Sequence, residues 1–164
     1  MGKILHRHWL LILAAVSAAM LAAAHGFEHF GELPPCLLCL KQREVYWVLL
    51  TTSLSGWAVG HRFAVAHLLA LGLAVAILGA GIALAGYHAG AEWQLWPGPA
   101  ACAAGGAVDV MALNLGAALA GPVEHPSCDQ VLWSWLGISM AGWNGLISLA
   151  LWIITILKVQ HDTP

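Results

Sequence analysis

The sequence predicts an all-α integral membrane protein: a four-helix bundle with a short surface helix in a long outer loop. Composition gives the class. Of 164 residues, 60% are hydrophobic and only 9% are charged. Soluble domains run at about 25% charged, so a soluble globule of this size lacks the polar surface to cover itself. The apolar residues also gather into four runs, and most basic residues stand at one set of run ends. A disordered chain is excluded, as is a nucleic-acid binder, which needs a basic patch. The net charge of −2 says little because so few charges produce it.

The chain is expected to be one four-span domain over residues 1–164. The first span, about 9–27, carries no charge until Glu28. The second, about 40–59, is short for a ~30 Å hydrocarbon core, so its helix is expected to start near Cys36. Lys41, Arg43 and Glu44 then sit at the interface, where long basic side chains reach the headgroups. The third, about 63–87, is interrupted only by His67, and the fourth, about 136–157, is closed by Lys158. Backbone groups in lipid must pair within the segment, which favours helices over strands. Gly72, Gly79, Gly86 and Gly142 read as sites of close helix approach. Asn144, deep in the fourth span, is expected to hydrogen-bond another helix.

Orientation follows the basic residues. Lys3, Arg7, Arg62 and Lys158 fall on one side, expected to be cytoplasmic together with both termini. The two outer loops, about 25–35 and 88–132, contain no Lys or Arg. Lys41 and Arg43 are the exceptions. The Lys3–Ala24 region also has the form of a secretory signal peptide, but the four-span charge pattern favours its retention.

The four cysteines, Cys36, Cys39, Cys102 and Cys128, all fall on the outer side, where an oxidising exterior supports disulfides. Cys36-Leu37-Leu38-Cys39 follows Pro34-Pro35 and so occupies the first turn of a helix. The N–H groups and the positive dipole end favour a thiolate there. Arg43 lies one turn beyond Cys39 on the same face and adds a fixed positive charge. The pattern suits thiol–disulfide chemistry, although half a zinc site or an inert disulfide has the same local form. No metal is expected, because Cys102 and Cys128 are far apart and His25, His29, His88 and His125 have no ligand-like spacing. They read as polar interface residues. Cys102 and Cys128 share the long outer loop among Pro97, Pro99, Pro122 and Pro126. Val108 to Leu119 has helical apolar spacing and is expected to lie on the membrane surface.

Pro35-Cys36-Leu37-Leu38-Cys39-Leu40-Lys41-Gln42-Arg43 resembles the P-C-x-L-C-x-x-Q-R signature of the disulfide bond formation protein B (DsbB) family. Tyr87-His88-Ala89-Gly90, Trp96-Pro97-Gly98-Pro99 through Cys102, Cys128-Asp129, Leu136 to Ser139 and Ala141 to Asn144 are also similar to it. The resemblance implies a four-helix protein of the bacterial inner membrane. It implies a thiol oxidase that reoxidises a DsbA-like periplasmic thioredoxin-fold partner and delivers the electrons to ubiquinone or menaquinone.

By the same resemblance, Cys102 meets the partner and pairs with Cys128, while Cys36 exchanges with Cys128. Cys39 faces the quinone and Arg43 supports it. A family histidine near the outer end of the third span is linked with quinone binding, and His88 stands closest to that place. Two other readings share parts of the pattern. Vitamin K epoxide reductase-like proteins also use four helices, four cysteines and quinone, but their Cys-x-x-Cys follows the loop cysteines. A non-catalytic scaffold with stapled loops leaves Arg43 and the Pro-Pro-Cys-x-x-Cys helix start without a purpose.

Overall fold

The computed structural model describes residues 8–60, 62–99 and 126–162. It is an all-α bundle of four long helices: α1 (Trp9–His29), α2 (Leu37–Gly60), α3 (Ala64–Glu92) and α4 (Met140–Asp162). The major packing runs α1 on α2, α2 on α3 and α3 on α4; the first two pairs are joined by short connections, as expected of neighbouring helices, and the third by residues 93–139. Leu10, Leu13, Leu49, Leu71, Ala74 and Leu78 form its dry centre. At the end of the bundle where α1 begins, Trp9 Nε1 donates to Thr155 Oγ1 at 3.1 Å and ties α1 to α4.

Three helices, α1, α3 and Met140–Gln160 of α4, are long and apolar enough to cross a membrane. Large side chains such as Leu54, Val65, Leu69, Leu73, Leu146, Ile153 and Leu157 are exposed. A surface of that kind belongs in lipid. Helix α2 has the length, at 24 residues, but its first two turns hold Lys41, Arg43 and Glu44. Lys41 spends its charge locally, on Glu44 at 3.0 Å.

Several helix limits differ from the sequence reading. Helix α3 runs on to Glu92, so His88 and Glu92 are buried helix residues rather than the start of an outer loop. Helix α4 starts at Met140, not near Leu136. Just before it, β1 (Ser134–Trp135) and β2 (Ile138–Ser139) pair antiparallel across Leu136-Gly137. Both turn residues have positive φ, +53° and +76°, the backbone of a tight hairpin turn with Gly at its second position. Ser139 then caps α4 by accepting from the Gly142 N–H at 3.1 Å. The surface helix expected at Val108 to Leu119 lies outside the described residues, as do Cys102, His125, Lys3 and Arg7.

The glycine expectation fails in part. A Cβ at Gly72 or Gly86 meets nothing within 4 Å, whereas one at Gly56 comes to 2.2 Å from Ala70 Cβ. Gly56 therefore sets the α2–α3 approach. At Gly90 an added Cβ comes to 2.0 Å from the Trp96 ring. The chain after α3 folds back there: Trp96 Nε1 donates to the Tyr87 carbonyl at 3.0 Å and its ring stacks on that of Tyr87. Two separate family-like stretches, Tyr87 to Gly90 and Trp96 to Pro99, are thus one packed unit.

Candidate functional site

The N-terminal end of α2 begins in the pattern its sequence requires. Pro34 and Pro35 cannot donate backbone hydrogen bonds, so the helix starts after them. Cys36 stands at its cap: the carbonyl accepts from Leu40 N at 3.1 Å and the sulfur accepts from Cys39 N at 3.2 Å. The thiol therefore takes the place of a capping side chain. Cys36 Sγ also donates to Cys39 Sγ at 2.8 Å, and both cysteines are free thiols. The hydrogen bond to Cys39, then burial, push the Cys36 thiol above the usual thiol range. Cys36 is 2% exposed, while Cys39 is half-buried.

Cys128 is disulfide-bonded and buried. It shares one buried cluster with Cys36 and Leu38, against which Leu37 and Cys39 pack. Gly98 approaches it as well, since a Cβ there comes to 3.6 Å from Cys128 Cβ. The structure thus brings three of the four cysteines together at one end of the bundle.

Arg43 is positioned by α1. One guanidinium nitrogen donates to Glu28 and the other to the Ala24 carbonyl at 2.9 Å. His88 reaches the pair from α3, with Nε2 3.6 Å from Cys36 Sγ. Its Nδ1 is 2.9 Å from Gln42 Nε2, and Gln42 Oε1 accepts from Asn144 Nδ2. Asn144 Oδ1 accepts from Tyr46. Glu92, one turn beyond His88, accepts from Ser139 and places its other oxygen 3.8 Å from His88 Nε2.

These side chains face a cavity of about 260 Å³ at the cysteine end of the bundle. Its polar lining includes Cys36, Cys39, Gln42, Arg43, His88, Glu92 and Asn144, and the rest is mostly apolar, including Met20, Leu21, Phe27, Trp133, Trp135 and Ile147. Phe27 and Trp133 meet at 5.1 Å between ring centres across the α1 and α4 sides. An oily chamber with one guanidinium and one dithiol suits a flat apolar molecule that gains negative charge.

Cys36, Cys39 and Arg43 converge as the spacing suggests, and His88 joins them from another helix. Cys102 lies outside the described residues. Asn144 does bond another helix, and it also lines the cavity. Glu28, Gln42 and Glu92 are site residues that local spacing does not reveal. The signal for Glu28 is its place as the first charge after span one, at the same end of the bundle as Arg43. Cys36, Cys39 and His88 also lie within 4.8 Å of one another, a set of metal-ligand types. Gln42 donates into His88 Nδ1, however, which leaves the proton on the Nε2 that faces the sulfur. The exposed trio His25, Glu28 and His29 has similar spacing, but its Glu28 is engaged by Arg43.

Comparison with known proteins gives a consistent result. The family described as "Disulfide bond formation protein DsbB" matches residues 6–158. A disulfide bond formation protein B from Methylococcus capsulatus is 31% identical over 148 residues, covering 86% of each chain. One from Marinobacter nauticus is 35% identical over 141 residues, covering 80% of this chain and 78% of its own.

Proposed function

The chain belongs to the disulfide bond formation protein DsbB family, and we propose that it is a quinone-dependent thiol oxidase. Family membership carries disulfide-forming oxidoreductase activity in a multi-pass membrane protein. The finer reading is that it reoxidises a periplasmic, DsbA-like thioredoxin-fold dithiol and passes the electrons through two cysteine pairs to ubiquinone or menaquinone. One observation carries it: the Cys36–Cys39 pair forms part of the wall of the apolar cavity while sharing a buried cluster with Cys128.

In this relay a partner thiolate attacks Cys102 and releases Cys128 as a thiolate. Cys128 attacks Cys36 of an oxidised Cys36–Cys39 pair, and Cys39 leaves as a thiolate. Each exchange moves one electron pair from one sulfur to the next. Bound quinone supplies the final acceptor, taking up two electrons and two protons. The residues present fit such a group: the walls are apolar, and the volume is near the low end of the ~300–1,000 Å³ usual for ligand pockets, enough for a ring with its tail in lipid. Cys39, Arg43 and His88 would hold it. Arg43 offers charge that Glu28 keeps in place, and its planar donors suit an oxygen gaining negative charge. The same reading puts the protein in the bacterial inner membrane with both termini cytoplasmic and the cysteines periplasmic.

Covalent trapping tests the relay. With a reduced partner that keeps only its attacking cysteine, the oxidised protein should accumulate a mixed disulfide that disappears when Cys102 is replaced by Ser. A complex that persists without Cys102, or forms through Cys39, overturns the assigned order.

A further inference from the structure

His88 is the last member of a chain of buried side chains that crosses three helices. Ser148 and Asn144 come from α4, Tyr46 and Gln42 from α2, and His88 from α3, and each is less than a tenth exposed. The chain has one direction. Tyr46 donates its only proton to Asn144 Oδ1, so at the 3.1 Å contact Ser148 is the donor to Tyr46. Asn144 Nδ2 donates to Gln42 Oε1, which turns Gln42 Nε2 toward His88 Nδ1 at 2.9 Å. His88 Nδ1 must then accept, and the ring proton sits on Nε2, 3.6 Å from Cys36 Sγ. Reversing the chain would point a bare Nε2 at the sulfur, making His88 a base instead of a donor.

We propose that Gln42 and Asn144 are positioning residues that fix His88 as the Nε2–H tautomer, so that His88 donates to Cys36 when Cys36 leaves as a thiolate. This rests on the relay proposed above. In its second half the partner's second thiolate closes the partner's disulfide and frees Cys102 as a thiolate, which attacks Cys128 of a Cys36–Cys128 disulfide. The Cys102–Cys128 bond forms, the Cys36–Cys128 bond breaks, and the electron pair stays on Cys36. No proton has to move in that step, because the Nε2–H already faces the sulfur. Among the described residues, the titratable groups around this nitrogen are Cys36, Cys39 and Glu92. Glu92 is the nearest carboxylate at 3.8 Å and is held by Ser139. Arg43 lines the same cavity.

The test reads the tautomer directly. In detergent-solubilised protein labelled with [15N]histidine, long-range proton–nitrogen correlation should show His88 protonated at Nε2, with its signals identified by their loss in His88→Leu. Gln42→Glu, studied at a pH where the new carboxyl is ionised, offers only acceptor oxygens and should place a proton on Nδ1, while Asn144→Leu frees the Gln42 amide to turn and should give both forms. In single-turnover experiments Gln42→Glu and His88→Leu should each slow resolution of the Cys36–Cys128 species by about tenfold or more, the scale of a hydrogen bond to a charged group. His88→Gln restores an N–H near the Nε2 position and should recover most of the rate lost in His88→Leu. An Nδ1–H tautomer in the unaltered protein, an unchanged tautomer in Gln42→Glu, or no recovery in His88→Gln overturns the proposal. The spectrum does not depend on turnover. Nε2–H with no quinone reduction therefore counts against the oxidase reading and upholds the tautomer assignment.

Discussion

At Cys36 a single sulfur does three jobs: it caps a helix, bonds Cys39 and meets His88. The bond to Cys39 and burial hold the thiol above its ordinary range, near 8.5 in a free peptide. A raised thiol pKa means that the protonated form persists as pH rises. In the reduced protein, alkylation of Cys36 should therefore stay slow through pH 9 and rise only beyond it, while half-buried Cys39 is labelled first. Peptide mass spectrometry after timed labelling checks this, and prompt labelling of Cys36 at pH 8 contradicts it. Arg43 gives a second prediction. Arg43→His removes the two-sided anchor on Glu28 and Ala24 and should raise the quinone KM about tenfold, the scale of one charged hydrogen bond, while leaving partner binding unchanged. Equal losses in steady-state titrations of quinone and partner contradict its assignment. Spacing alone places Cys36, Cys39 and Arg43 together, within two turns of one helix, while His88, Cys102 and Cys128 join them only through the family resemblance. Glu28, Gln42 and Glu92 acquire their places from contacts across helices, which no local spacing encodes.

Among the elements, α2 and the turn after α3 carry most of the specificity. The length of the apolar runs revealed four helices, but not where they stop. The Leu136-Gly137 turn interrupts an apolar run that reads as continuous helix, because two positive-φ residues and Ser139 capping are backbone events. Likewise the sequence marks glycines without saying which face a neighbour. Gly90→Ala should destabilise the bundle by about 1–3 kcal/mol, since the new methyl group overlaps the Trp96 ring. Gly72→Ala meets nothing within 4 Å and should be neutral or stabilising by up to about 1 kcal/mol, the helix preference for Ala over Gly. Thermal unfolding in one detergent, followed by far-ultraviolet circular dichroism, checks both, and a reversed order contradicts the packing assigned to Gly90.

Across the whole molecule, neighbouring helices pack in sequence, and Trp9 and Thr155 tie α1 to α4 at the end away from the cysteines. At the cysteine end, residues of α1 and α4 line the cavity instead. The scarcity of charge identified a membrane protein. The structure adds that Arg43 and Glu28, two of its few charged residues, form one ion pair at the cavity lined by Cys36 and Cys39. The family match explains why scattered motifs of the sequence meet at this end, but the long loop that carries Cys102 enters the account only through the relay. The central claim is that electrons from a dithiol protein leave through Cys36 and Cys39 to a lipid-soluble acceptor. Anaerobic mixing of the purified protein with a reduced thioredoxin-fold dithiol and ubiquinone or menaquinone, followed by absorbance, tests it most directly. The account predicts one quinone reduced per dithiol oxidised, and none in Cys39→Ser. Dithiol oxidation with neither quinone reduced, or unchanged quinone reduction in Cys39→Ser, would contradict it.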